Sequence, residues 1–300
     1  MPRFRHGRFR PPVTRLAFLG TLLVGALLVG GPGPAGDTGQ DRRDRDGARE
    51  VSVLHYNMCG AATGCPWNAG RSGRGTSVAR IVTEARNSRP DAITLNEVCA
   101  TQYTALRERL AAAGAPMDGT FQGGLTNVPA CGPAGRFGTA VLSREPVRDG
   151  APEFRAFTDT GGETYRNAGR AEPVHRGLLC ARTRHGDGPL TVCTAHTYAA
   201  VPGQLDEIRA WTADESRFPP GTPLIVAGDL NLPPHAPAVD RLRTRFLEAD
   251  RTDAPTADGR KIDYVFADRR HFGSGTTLVR DFPESDHAML LARLERTGPR

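Results

Sequence analysis

Eight short runs in this chain are rich in Val, Ile, Leu and Thr and are bounded by Gly, Pro or Asp. They are VSVLHYN (51–57), AITLNEV (92–98), GTAVLS (138–143), GLLCART (177–183), PLTVCTAHT (189–197), PLIVAGDL (223–230), KIDYVFA (261–267) and HAMLLARL (287–294). Runs of this length and composition read as strands. Segments with helical spacing lie between some of them, at 78–88, 102–114, 203–216 and 237–247. Gly114 reads as the cap that ends the second of these. Strands joined partly by hairpins and partly by helical crossovers imply two sheets packed face to face with helices outside. The expected fold class is therefore α/β, a two-sheet β-sandwich flanked by helices in four αββα layers. The stretches 114–135 and 148–175 are irregular and Gly-rich. They read as long surface loops, where substrate contacts often lie.

The first residues have a different character. Residues 1–15 carry Arg3, Arg5, Arg8, Arg10 and Arg15 and no acid, residues 16–31 are apolar and small, and GPGPAG follows. That is the layout of a secretory signal peptide, expected over 1–36 with cleavage after Ala35. The apolar run is short for a spanning helix, and a retained membrane anchor is the alternative. Residues 37–50, DTGQDRRDRDGARE, are charged and lack an apolar cluster, so they read as a solvated linker. One domain is expected over 51–300, with no internal repeat. The leader's five arginines supply five of the six net positive charges, which leaves +1 for the mature chain. The basic pI therefore does not itself point to nucleic acid or an anionic membrane, and any basic surface must be local.

All six cysteines, Cys59, Cys65, Cys99, Cys131, Cys180 and Cys193, lie beyond that leader. An even number in an exported chain suggests disulfides. Cys180 and Cys193 sit symmetrically about a turn at His185-Gly186-Asp187-Gly188, so they should face each other across a hairpin. Cys59 and Cys65 can close a small loop, and Cys99 with Cys131 follows by elimination. Zinc is the rival use of cysteine, but the chain has no CxxC pair.

Several strands end in polar residues that their apolar pattern does not require. Asn57 ends the first and Glu97 the second. His196 ends the return strand of the hairpin, Asp229 and Asn231 follow IVAG, Asp263 sits in KIDYVFA, and Ser285-Asp286-His287 leads into the last strand. Each alone reads as a turn, a cap or a surface group. Together, at converging strand ends, they would put four carboxylates beside two histidines and two asparagines. Like charges so close require a cation. Oxygen donors without a thiolate cluster favour Mg²⁺, with Mn²⁺ or Ca²⁺ as alternatives. His55 shares the face of Asn57 by alternation and reads as a hydrogen-bonded core histidine. Lys261, the only lysine, reads as a product of an arginine-biased composition.

The ordered set Asn57, Glu97, His196-Thr197, Gly228-Asp229-Leu230-Asn231, Ile262-Asp263-Tyr264 and Ser285-Asp286-His287 resembles the endonuclease/exonuclease/phosphatase superfamily. Its members include pancreatic-type deoxyribonucleases, abasic-site endonucleases, neutral sphingomyelinases and inositol-polyphosphate phosphatases. The resemblance spans roughly 51–295 and implies a deoxyribonuclease-like sandwich. Many members carry Gln before the glutamate, whereas this chain has Asn96. The resemblance implies that Glu97 binds a divalent metal with Asn57 nearby and a contribution from Asp286. It implies that Asp229 orients or deprotonates water, that Asn231 fixes phosphate or that water, and that Asp263 orients His287. His287 and Asp229 are alternative bases. His196 is placed to contact a phosphate oxygen or protonate the leaving group, and Arg176 could bind phosphate through a bidentate pair.

The expected function is a secreted, metal-dependent phosphodiesterase, with nucleic acid as the favoured substrate. DNA comes first and RNA second, with Arg71, Arg74, Arg166 and Arg170 as groove candidates. A sphingomyelinase-type lipid phosphodiesterase or an inositol-phosphate phosphatase is the alternative. The lipid enzyme should expose an apolar or aromatic loop, for which Phe121 and Trp67 are isolated candidates. A catalytically inactive binding protein on the same scaffold should lack a site residue, and none is missing. No stable protein partner is implied, and a monomer is expected.

Overall fold

The computed structural model describes residues 50–61, 64–148, 153–167 and 170–297. The expected signal peptide lies outside these residues, as does the linker up to its last residue. Two six-stranded mixed sheets carry the fold. The first runs in the order β13 (Phe272–Arg280), β14 (Met289–Arg296), β1 (Glu50–Asn57), β2 (Ala92–Cys99), β4 (Phe137–Ser143), β3 (Asp118–Leu125). The second runs β11 (Phe246–Glu248), β12 (Asp263–Asp268), β10 (Leu224–Asp229), β9 (Gly188–His196), β8 (Gly177–His185), β5 (Glu153–Ala156). Strands β6 (Thr164–Asn167) and β7 (Arg170–Pro173) form a separate ribbon. The helices are α1 (Ser77–Ser88), α2 (Ala100–Ala112), α3 (Gly203–Thr212) and α4 (Pro237–Arg243).

Strand alternation builds the layers. On β1, Val51 and Val53 meet Val192, Ile225, Ala227 and Val265 of the other sheet, in a core between the sheets. The alternate residues, Leu54 and Tyr56, pack outward against Ile81 of α1 and Leu106 and Leu110 of α2. On the far side, Val226, Tyr264 and Phe266 pack against Leu205 and Ile208 of α3 and Val239 and Leu242 of α4. This gives the four-layer sandwich expected from the sequence. Each fully buried Leu or Ile side chain contributes roughly 1.5–3 kcal/mol relative to exposure, so these three cores dominate the stability.

The inner faces change character along each strand. Val51 and Val53 give way to His55 and Asn57, Ala92 to Thr94 and Asn96, Val192 to Thr194 and His196, and Ile225 and Ala227 to Asp229. One end of the inter-sheet space is therefore apolar and the other is polar. Gly228 permits this geometry, because a Cβ there would lie 2.0 Å from the carbonyl oxygen of Ala195 on paired β9.

Three differences from the sequence reading stand out. The supposed loops hold β3, β5 and the β6–β7 ribbon. These segments are Gly-rich or half-exposed, and β3 and β5 are edge strands, so they show no clean apolar alternation. Edge strand β13, FGSGTTLVR, was hidden for the same reason. The helix expected over 237–247 stops at Arg243, and Phe246 begins β11, which pairs with β12. The disulfides are Cys59–Cys65, Cys99–Cys131 and Cys180–Cys193, and the last joins residues directly opposed on β8 and β9. The turn between those strands uses Gly186 at positive φ.

Candidate active site

The polar ends of β1, β2, β9, β10 and β12 converge where the inter-sheet core stops. Asp229 pairs in register with His196 of β9 on one side and Asp263 of β12 on the other. Strand pairing thus brings three expected site residues together without any loop. The segment 285–287 completes the ring. Ser285 Oγ donates to the Asn57 carbonyl oxygen at 2.7 Å and accepts from the His287 backbone N–H at 3.2 Å. That short turn aims His287 at the strand ends.

Asn57 is the hub. Its buried Nδ2 donates to Asp229 Oδ2 at 3.1 Å and Glu97 Oε1 at 3.3 Å, and it lies 3.4 Å from His287 Nε2. Its Oδ1 accepts from the Cys59 backbone N–H. In this orientation Asn57 steers the carboxylates rather than presenting an oxygen beside Glu97. Glu97 sits at a β-bulge between Leu95 and Val98, with φ 56°. Asn231, with φ 52°, is the other site residue in the left-handed region. Its backbone N–H donates to Asp229 Oδ1 at 3.0 Å, and its Nδ2 donates to the Thr197 carbonyl oxygen at 3.0 Å. Non-glycine residues held there cost roughly 1–3 kcal/mol each, a strain that concentrates at functional sites.

A buried chain of titratable groups runs behind this hub. His287 Nδ1 lies 2.8 Å from Asp263 Oδ2, and His55 Nε2 lies 3.4 Å from Asp263 Oδ1. The other ring nitrogen of His55 meets Thr94 Oγ1 at 3.0 Å. Burial opposes the Asp263 charge, but hydrogen bonds from the two imidazoles outweigh it and hold the carboxyl below its usual range. Burial also opposes a charged His287, yet the hydrogen bond and charge of Asp263, aided by Asp229, raise it to about 9. His196 Nε2 lies 3.4 Å from Asp229 Oδ2. Burial, then the Arg176 charge, hold His196 well below its ordinary value, in the neutral form.

The carboxylates at the mouth resist ionisation. Burial, then the Asp263 charge, push Asp229 up to about 7. Burial also pushes Glu97 up, and the Asp286 charge adds to it against the hydrogen bond from Asn57. Ligand atoms of Asp229, Asp263 and His287 lie within 4.8 Å of one another. A divalent cation would relieve the cost of ionising Glu97 and Asp229, and their oxygens suit a hard cation. Asp286 is exposed at the rim, 3.7 Å from Cys65 Sγ. Cys59 and Cys65 also cluster with Asp286, but their sulfurs are bonded to each other and are not thiolate ligands.

The sequence understated three residues. Asn96 Oδ1 accepts from the Asp229 backbone N–H at 2.8 Å, and its Nδ2 donates to Thr194 Oγ1 at 3.3 Å. The shorter amide therefore does reach the opposite sheet, where it fixes Asp229. His55 clamps Asp263, a role signalled only by its shared face with Asn57. Lys261 is buried and ion-paired with Glu248, Asp250 and Asp253, which makes it a structural cation. Arg176 stands differently from expectation. Its Nε and Nη2 donate to both Glu163 carboxylate oxygens at 2.6 and 2.7 Å. Its charge is already partnered, so a phosphate would share the guanidinium with Glu163.

Solved structures share this fold. A solved endonuclease/exonuclease/phosphatase from Beutenbergia cavernae is 23% identical with a TM-score of 0.64, covering 83% of this chain and 72% of that one. A Bacteroides vulgatus endonuclease/exonuclease/phosphatase is 19% identical with a TM-score of 0.60, covering 83% and 99%. Truncated TDP2 of Caenorhabditis elegans is 17% identical with a TM-score of 0.57, covering 82% and 97%. No curated protein matches the sequence. Residues 54–287 match the model of the Endonuclease/Exonuclease/phosphatase family, a span that holds every site residue described above, and the chain belongs to that family.

Proposed function

We propose that this chain is an exported phosphodiesterase that needs a divalent metal and cleaves nucleic acid, DNA in the first instance. The observation that carries the reading is the Asn57-centred cluster, with ionisation of Glu97 and Asp229 disfavoured beside a His287 held cationic by Asp263. Glu97, with Asp229 and Asp286 nearby, would hold the metal. When bound, the metal offsets charge on phosphoryl and leaving oxygens. Asp229, with its pKa near neutrality, accepts a proton from the attacking water. His287 donates hydrogen bonds to the phosphoryl group as charge builds there. Neutral His196 hydrogen-bonds a phosphate oxygen, and Asn231 keeps the Asp229 carboxylate turned to the water.

Exposed arginines support the nucleic-acid assignment. Arg71 and Arg74 lie beyond the Cys59–Cys65 loop, and Arg166 and Arg170 lie on the β6–β7 ribbon. Such residues supply the backbone contacts that make binding salt-dependent. The lipid alternative calls for an exposed apolar or aromatic loop. Among the described residues the exposed large apolar side chains are Trp67 and Leu278, on separate elements. Disulfides suit export. Among the described residues, no helix is long and apolar enough to cross a membrane. The test uses a fluorescent oligonucleotide and a phosphomonoester, each with Mg²⁺ and after chelation. Metal-dependent internal cleavage supports the proposal, whereas release of phosphate from the monoester alone would replace it with a phosphatase. Expression with residues 1–36 present should give a secreted product whose N-terminus lies near Gly36.

A further inference from the structure

A pocket of about 290 Å³ opens beside the candidate active site, with Glu97 and His196 in its lining. Much of its wall comes from the stretches 114–135 and 148–175, which the sequence presented as surface loops. Phe137 of β4, Phe154 of β5 and Tyr165 of β6 bring three aromatic rings to it. Leu125, Val128 and Val174 fill between them. The Cys99–Cys131 disulfide backs one wall, because both cysteines pack in a cluster with Leu125, Val128, Phe137, Tyr165 and Val174. The Arg176–Glu163 pair fixes another part of the lining, so the β6–β7 ribbon is tied to the start of β8. This is a built cavity with apolar walls and a few polar groups, near the lower end of the roughly 300–1,000 Å³ typical of small-ligand sites.

We propose that this pocket receives a single unstacked nucleobase attached next to the scissile phosphate, so that the enzyme acts on single-stranded nucleic acid in preference to duplex. The inference rests on the phosphodiesterase reading and narrows its substrate. Three arguments favour a base. The pocket adjoins His196 and Glu97, so a group entering it is attached close to the phosphate. Aromatic rings in a lining can stack on any base without reading its identity. Gln122, Thr139 and His175 also line it. These polar side chains can meet the heteroatom edge of a base, an interaction that an acyl chain cannot offer. A paired base must leave its stack to enter such a space, a cost that a single strand largely avoids.

Equilibrium binding separates the possibilities. Thymidine 5′-phosphate, 2-deoxyribose 5-phosphate and hexyl phosphate are titrated into the wild-type protein with Mg²⁺ present, then into Val174→Trp and Tyr165→Ala. The base-bearing ligand should bind at least about tenfold tighter than the sugar phosphate. Filling the pocket with Val174→Trp should remove that difference, and Tyr165→Ala should reduce it. Equal affinities in the wild type would overturn the proposal even if both variants misfold. Tighter binding of hexyl phosphate would assign the pocket to an acyl chain and overturn it too. Hydrolysis of a single-stranded oligonucleotide, measured alongside, keeps the two readings apart. Base preference without hydrolysis would sink the phosphodiesterase reading and leave the pocket standing. Hydrolysis without base preference, or equal rates on single strand and duplex, would sink the pocket assignment alone.

Discussion

Replacing Asp263 with Asn tests the electrostatic core of the site. Asp263 is fully buried and lies 2.8 Å from His287 Nδ1 and 3.4 Å from His55 Nε2. Lifting His287 from 6.5 to about 9 corresponds to a preference of about 3 kcal/mol for the imidazolium, at about 1.4 kcal/mol per tenfold. An amide keeps the shape and removes the charge. Burial then acts against the His287 cation with only the charges of Asp229 and Asp286 to oppose it, and its titration midpoint should fall from about 9. The sign is definite, because a histidine that loses its anion releases its proton at lower pH. His287 should therefore be charged at neutral pH in the wild type and lose its proton at lower pH in the variant. Proton NMR of the His287 ring across pH reads the midpoint directly. The rate of phosphodiester cleavage should fall by roughly 10²–10³, the usual cost of losing one donor aimed at developing charge. A wild-type midpoint near the free-histidine value, or one unmoved by Asp263→Asn, would refute the reasoning. Full activity in the variant would refute the role assigned to the pair.

Other outcomes follow from single contacts. Asn96→Ala leaves the Asp229 backbone N–H without its partner and should cost about 1–3 kcal/mol in denaturant unfolding while slowing cleavage. Gly228→Ala drives a Cβ to 2.0 Å from the Ala195 carbonyl oxygen, so it should destabilise by about 1–3 kcal/mol and displace Asp229. Thermal scans will report the first effect and metal affinity the second. Folding raises Asp229 above its unfolded value of 3.8, so its contribution to stability is present below 3.8 and lost as pH rises through about 7. A cation that binds the ionised carboxylate should therefore raise Tm more at about pH 8 than at about pH 5, and a reversed trend would contradict this site. Removing the Cys99–Cys131 bridge with paired Ala substitutions should cost about 2–4 kcal/mol, read as a lower denaturant midpoint.

Much of the candidate site's geometry was legible because strand pairing creates it. Asp229, His196 and Asp263 end or begin neighbouring strands, so their apolar runs placed them correctly. The cysteine pairs were legible for a similar reason, since Cys180 and Cys193 flank one tight turn. The walls of the pocket were not. Edge strands β3 and β5 and ribbon β6–β7 have little alternation, because neither face is fully buried and glycines replace packed side chains. Their register depends on pairing with β4 and β8 and on one another, which no local pattern encodes. Cross-sheet contacts were hidden as well. Asn96 and His55 look like ordinary strand residues until the opposite sheet brings Asp229 and Asp263 against them.

The proposed activity is hydrolysis of nucleic-acid phosphodiesters at the Asn57-centred cluster with a divalent metal. Nicking of supercoiled plasmid, whose strain exposes unpaired bases, tests it most directly. The purified chain is assayed with Mg²⁺, with chelator, and as His287→Ala. The expected result is nicking that disappears with chelation and falls by roughly 10²–10³ in the variant. Nicking that survives chelation or the loss of His287, or no nicking by folded protein with metal present, would contradict it.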